Sequence, residues 1–264
     1  HGFAAKLTVG EGNSFRFCIA HHNIDDGWDL YAKSTTGAIA PVVIEDSVAY
    51  RNGVLSDDIS FELVGEGNGF KLGGESMPGA HVLRNSIAFD NLAKGVTSNS
   101  GPDVRVHDVT TYLNGHLLPD VGRMNLQLRT NAPQTDYAVS GFISYLGQQA
   151  DDIRLSNQED TIRTDDTNYF DSQGVSEDWF VSLDTEITPT IAEDGSIDMH
   201  GLLELTSAAP QDTGARLGPN PDPTDIEMFP LVPGSPGAGE PTPGDSSDEG
   251  GSEINGEPAP LPAT

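Results

Sequence analysis

A single cysteine, Cys18, stands in the 264-residue chain, so no disulfide framework can form within it. Basic residues are scarce: 13 Lys and Arg against 41 Asp and Glu leave a formal charge of −28. A field of that sign repels nucleic acid and anionic membranes, which argues against a phosphate-backbone binder. No run of 18 apolar residues occurs, so no membrane insertion is expected. Hydrophobic residues make up 36% of the chain, fewer than a compact globule normally carries. The chain opens on His1 with neither Met nor an apolar leader, and patterned sequence begins at Gly2-Phe3. A mature form or a fragment is therefore expected.

Glycine (30) and proline (18) are abundant, and the C-terminal end accounts for much of both. Residues 217–264 hold 11 prolines, 8 glycines, nine acids and no Lys or Arg. Too few apolar residues are present to offset the entropy of ordering, so a disordered, self-repelling linker or wall-spanning tail is expected there. Removing nine acids leaves 32 against 13 bases, a charge of −19, on residues 1–216. The chain closes on Leu261-Pro262-Ala263-Thr264, an LPxT-like end that points to cell-wall anchoring; a linker cut there by chance is the alternative.

The front half repeats itself. Cys18-Ile19-Ala20-His21-His22-Asn23, Ser47-Val48-Ala49-Tyr50-Arg51-Asn52, Ser86-Ile87-Ala88-Phe89-Asp90-Asn91 and Val109-Thr110-Thr111-Tyr112-Leu113-Asn114 align without gaps. A fifth copy runs from Gly141 to Gly147, with Gly147 at the Asn position. A second unit, polar-Gly-apolar, recurs as His1-Gly2-Phe3, Asp26-Gly27-Trp28, Asn68-Gly69-Phe70 and Lys94-Gly95-Val96. Apolar runs are 4–7 residues long and lack helical periodicity. Short strands with a recurring turn Asn describe a solenoid whose coils of about 22–25 residues bury their apolar faces only by stacking. Cys18, Ser47, Ser86 and Val109 should form one interior column, and His21, Tyr50, Phe89 and Tyr112 another. Asn23, Asn52, Asn91 and Asn114 should form a ladder. Residues 148–216 fit the coil pattern less well and read as strands or loops packing on the helix end.

Two motifs are left over. Asp25-Asp26-Gly27-Trp28-Asp29 places three carboxylates in five residues, and a hard divalent cation such as calcium would relieve their repulsion. A solvated acidic turn is the alternative. No Cys or multiple-His set is near, which disfavours zinc. Gly67-Asn68-Gly69-Phe70-Lys71-Leu72-Gly73-Gly74 puts one of the few lysines between glycines that allow close ligand approach. If the units stack, Lys71 shares a face with the acidic cluster, and a cation nearby would lower its pKa toward that of a usable base. Together they suggest β-elimination: a cation bridges a uronate carboxylate, Lys71 removes the C5 proton and the C4 oxygen leaves. Arg84, Lys33, Asn68 and Lys94 are further candidates for holding substrate.

These segments, together with Gly2-Phe3-Ala4-Ala5-Lys6-Leu7, Phe180-Val181-Ser182-Leu183-Asp184 and Asp194-Gly195-Ser196, resemble the pectate lyases of polysaccharide lyase family nine over residues 1–216. The resemblance implies an all-β, right-handed parallel β-helix of about ten coils whose first coils precede His1. It implies calcium-dependent cleavage of polygalacturonate, with Lys71 as base and Asp25, Asp26 and Asp29 as calcium ligands. A fourth ligand of the family falls on His1, a poor one for calcium. A secreted or cell-surface monomer follows from this reading. A non-catalytic polysaccharide-binding β-helix and a β-helix glycoside hydrolase are the competing readings.

Overall fold

The computed structural model describes residues 1–55, 65–116, 122–155 and 161–219. The chain divides into two units, His1–Met228 and Phe229–Thr264. The second unit, the LPxT-like end and nearly all of the 217–264 tail lie outside the described residues.

The first unit is all β, as expected. Among the described residues the only helical turn is the 3₁₀ turn Glu177–Trp179, and no helix is long and apolar enough to cross a membrane. Two parallel sheets face each other across the core. The larger contains β1 (Asn13–Arg16), β2 (Ile19–His21), β4 (Val42–Glu45), β5 (Val48–Tyr50), β7 (Val82–Phe89), β9 (Arg105–Tyr112), β11 (Asp136–Ser140), β12 (Ile143–Tyr145) and β14 (Thr161–Thr164). The smaller contains β3 (Trp28–Asp29), β6 (Phe70–Lys71), β8 (Lys94–Thr97), β10 (Met124–Arg129) and β13 (Asp152–Arg154). Strands join each sheet in chain order, so every circuit contributes to both and the chain winds as a β-helix. Six successive coils are seen among the described residues.

The polar-Gly-apolar units stack in register: Phe3 on Trp28, Trp28 on Phe70, Phe70 on Val96 and Val96 on Leu126. Ring centroids of Phe3, Trp28 and Phe70 are 4.8 Å apart at each step, which is the strand-to-strand spacing of a sheet. The expected Asn ladder is present. Each Asn side chain donates to the Oδ1 of the next: Asn23 to Asn52 (2.8 Å), Asn52 to Asn91 (2.9 Å) and Asn91 to Asn114 (2.9 Å). The ladder also explains the repeated glycines. A methyl on Gly69 would lie 2.9 Å from Asn91 Nδ2 and 2.6 Å from the Gly95 carbonyl oxygen.

The ladder ends differently from the sequence expectation. The fifth rung is Asn125, which accepts from Asn114 Nδ2 at 2.9 Å, while Gly147 holds only the backbone position. A Cβ on Gly147 would sit 3.1 Å from the Asn125 amide, so the glycine makes room for a side chain arriving from β10. We expect Asn91→Ala to destabilise the fold by about 3 kcal/mol, because it strands the buried Asn52 N–H and the Ala49 carbonyl. Denaturant unfolding measures this, and a loss under about 1 kcal/mol would deny the ladder a stabilising role.

Of the two expected interior columns, Cys18–Ser47–Ser86–Val109 lies inward as foreseen, with Ser47 Oγ accepting from Cys18 N–H and Ser86 Oγ from Ser47 N–H. The aromatic column stacks in register but on the outer side. Strand alternation turns Ala49 and Ala88 into the core and sends Tyr50 and Phe89 outward, their rings 4.9 Å apart and within 1° of parallel. That outer stripe is buried by residues 175–217. Trp179, Phe180, Met199, Leu202 and Leu203 pack on Tyr50, Phe89, Tyr112 and Tyr145. Arg51 donates to the Thr185 carbonyl, Arg216 N–H to Asn85 Oδ1 and Ala215 N–H to Thr110 Oγ1, so the segment runs along the flank of several coils. The expectation that it packs on the helix end is corrected to that extent.

Candidate active site

The outward face of the smaller sheet collects the polar residues that the core cannot take. Register pairs Asp29 with Lys71, so the acidic motif and the lysine motif occupy adjacent coils. Lys71 Nζ lies 3.2 Å from Asp26 Oδ2 and 3.5 Å from Glu66 Oε2. The Tyr31 ring lies beneath the same ammonium, 5.8 Å from Nζ to its centroid. Burial alone would push Lys71 toward the neutral amine, but Asp26, Glu66 and Asp29 outweigh it, and the net shift is upward. The downward shift foreseen for a lysine beside a bound cation is therefore not a property of the cation-free protein.

Asp26 is fully buried. Its Oδ1 accepts the Asn68 backbone N–H (3.0 Å) and Asn68 Nδ2 (2.7 Å). Burial raises its pKa to about 6; Lys71 pulls it down and Asp25 adds to the rise. Asp25 is half-buried, and its Oδ1 accepts the Glu66 N–H at 2.7 Å. Asp29 is buried, with Lys6 Nζ 2.6 Å from its Oδ2. His1 places its ring among all three: Nδ1 is 3.2 Å from Asp25 and 3.6 Å from Asp26, and Nε2 is 3.2 Å from Asp29.

The donor set fits a hard divalent cation. Asp29 Oδ1 is buried with no hydrogen-bond donor, and Asp26 Oδ2 faces only the Lys71 ammonium at 3.2 Å and the His1 ring at 3.6 Å. His1, Asp25 and Asp26 each bring a ligand atom within 4.8 Å of the others. Four carboxylates (Asp25, Asp26, Asp29, Glu66) against two ammonium groups (Lys6, Lys71) leave two negative charges. Oxygen ligands of that charge suit calcium, and only the His1 nitrogen departs from the pattern.

Of the substrate-holding candidates, Asn68 is in the cluster, binding Asp26 and, at 2.9 Å, Glu66. Lys94 stands next in the same column, and burial lowers its pKa. Arg84 is not brought there. It lies on β7 in the other sheet, its Nε 2.8 Å from Glu45. Lys33 lies in an exposed turn closed by a bridge to Gly37. Lys6, Glu66 and Tyr31 escaped the sequence reading. Lys6 was signalled by register, since pairing Phe3 with Trp28 sets Lys6 opposite Tyr31. Glu66 follows an insertion that hides its place in the repeat.

The fold and site define a parallel β-helix whose side face carries a lysine amid carboxylates, and similarity to known proteins narrows it. Residues 1–131 match the family model described as Pel9A-like, right handed beta helix region. Pectate lyase L of Thermoclostridium stercorarium is 50% identical over 147 residues, 54% of this chain and 11% of that protein. Pectate lyase L of Paenibacillus polymyxa (strain SC2) is 38% identical over 211 residues, 79% of this chain and 44% of that protein. The crystal structure of pectate lyase Pel9A superimposes with a TM-score of 0.55 and 31% identity, covering 77% of this chain and 46% of that one. A rhamnogalacturonan lyase shares the fold, with a TM-score of 0.62 at 24% identity over 81% of this chain and 54% of that one. The chain thus spans less than half the length of either pectate lyase L. The resemblance to family nine and its right-handed β-helix are borne out.

Proposed function

We propose that this β-helix is the catalytic part of a secreted pectate lyase that cleaves polygalacturonate by β-elimination. The observation that carries the reading is Lys71 in register with Asp29 and 3.2 Å from Asp26, on the outward face of the smaller sheet. The names of the similar proteins support the substrate class.

Asp25, Asp26 and Asp29 would hold calcium, which when bound neutralises the substrate carboxylate and acidifies the adjacent C5–H. The remaining work falls to the chain. The neutral Lys71 amine takes the C5 proton, the C–H electrons form the C4=C5 bond, and the C4–O bond breaks. The departing oxygen acquires a proton from solvent. Asn68 fixes the Asp26 carboxylate through two donors, and Lys6 fixes that of Asp29. Both carboxylates are thereby held in place before substrate arrives.

The test is ultraviolet absorbance during incubation with polygalacturonate, with calcium and then with chelator. An absorbance rise that needs calcium is the expected result, since elimination leaves an unsaturated uronate. New reducing ends without absorbance would mean hydrolysis and overturn the assignment. Polymer retained without either product would leave a non-catalytic binding helix.

A further inference from the structure

A cleft of 670 Å³ is lined by Asn99, Gln127, Arg129, Thr130, Arg154 and Leu155, among others. Register places it on the same outward side of the sheet as the lysine site. One row of outward residues runs Asp29–Lys71–Thr97–Gln127–Asp152, and two positions along a second row ends Arg129–Arg154. With about 4.8 Å per coil, Arg129 lies about 10 Å and Arg154 about 14 Å along the axis from Lys71.

The chain carries only 13 basic residues, and two of them are stacked here in adjacent coils. Asp152 lies between them, 2.6 Å from Arg154 Nε and 3.6 Å from Arg129 Nη1. Among the described residues, two guanidinium groups share one carboxylate here, a local excess of positive charge in an acidic molecule. Their side chains are 70% and 50% exposed, so donors not aimed at Asp152 face the cleft and solvent. Gln127, whose Nε2 is 3.4 Å from Asp152 Oδ2, and Asn99, held by the Gly73 carbonyl, add neutral polar groups. Guanidinium forks match carboxylates, and a polyanion approaching a protein of this charge needs a local cationic patch.

We propose that Arg129 and Arg154 form a distal subsite that grips carboxylates of an acidic polysaccharide laid along the coil axis, two to three coils from the bond that is cut. The inference rests on the lyase reading for the identity of the polymer. The subsite makes de-esterified, charged stretches the preferred ligand and anchors the chain away from the reacting sugar.

The experiment measures binding of the Lys71→Ala protein to polygalacturonate and to fully methyl-esterified pectin in calcium, with and without Arg129→Gln plus Arg154→Gln. The expected result is a loss of about tenfold in affinity for polygalacturonate and a shallower salt dependence, with no change toward the esterified polymer. Circular dichroism checks folding. If the double variant unfolds, Arg154→Gln alone is used, since that side chain is the more exposed. Equal affinity with and without the substitutions overturns the subsite while leaving the lyase reading intact. Weakened binding in a protein whose unsubstituted form gives no unsaturated product keeps the subsite and removes the lyase reading. No binding by any form overturns the subsite, and the lyase reading is then decided by the absorbance of the unsubstituted protein alone.

Discussion

Lys71→Ala is expected to lower the calcium-dependent absorbance rate on polygalacturonate by about 10³-fold, within the range a positioned general base contributes. The loss should not be one of charge balance. Lys71→Arg preserves a cation beside Asp26 and Glu66 yet should fail as badly, because a guanidinium does not give up its proton in a protein. The surrounding carboxylates hold the Lys71 pKa above its ordinary value in the cation-free protein, so the free amine is rare at neutral pH. Since the reacting base is the neutral amine, the calcium-dependent rate should climb as rising pH removes the Lys71 proton, and bound calcium should bring that rise to lower pH than the carboxylates alone would set. A steady-state comparison of the three proteins across pH decides the matter. A Lys71→Arg rate within about tenfold of the parent would show that Lys71 supplies charge and not proton transfer.

The solenoid was legible because its packing is periodic. Stacked coils set like against like, so Asn23, Asn52, Asn91 and Asn114 had to recur, and so did the glycines against which their amides pack. The pattern failed where a side chain crosses between strands. Asn125 completes the ladder from a different segment, and nothing in the Gly141–Gly147 copy announces it. Inward and outward positions were also confused at the aromatic column. A buried tyrosine looks the same in a one-dimensional pattern whether the cover is the helix interior or a later segment. Here it is Trp179, Phe180 and their neighbours.

The site was legible where it lies in register with a motif. Asp26 and Asn68 share one column and Asp29 and Lys71 the next, so finding the units placed all four together. Arg84 was misjudged because its repeat belongs to the other sheet, where it pairs with Glu45. Lys6 and Glu66 come from segments whose alignment depends on knowing which coil precedes which. The arginines of the distal cleft have no motif of their own. Only the register through β8, β10 and β13 reveals that they continue the lysine face.

Calcium should stabilise the protein strongly at pH 8 and little at pH 5, and Asp26 supplies the reason. Its folded pKa of about 6 stands above the ordinary 3.8, so without a cation the folded state binds the proton more tightly than the unfolded state. Its contribution to stability then falls as pH rises from about 4 to about 6 and is flat beyond. A cation among Asp25, Asp26 and Asp29 competes for the site with that proton. Above pH about 6 it binds an ionised cluster and removes the repulsion; below, it must first displace the proton. At a hundredfold excess over its Kd, calcium adds about 2.7 kcal/mol, or about 5–10 °C in melting temperature for a domain of this size. Asp26→Asn keeps the oxygen that accepts both Asn68 donors, so folding should survive while the calcium shift largely disappears. Magnesium should give a smaller shift in the parent, because it gives up its waters reluctantly. Thermal melts at pH 5 and pH 8 in chelator, calcium and magnesium test all of this. An equal calcium shift in the parent and Asp26→Asn proteins, or none at pH 8, would place the cation elsewhere and leave the buried carboxylates as partners of Lys6, Lys71 and His1 alone.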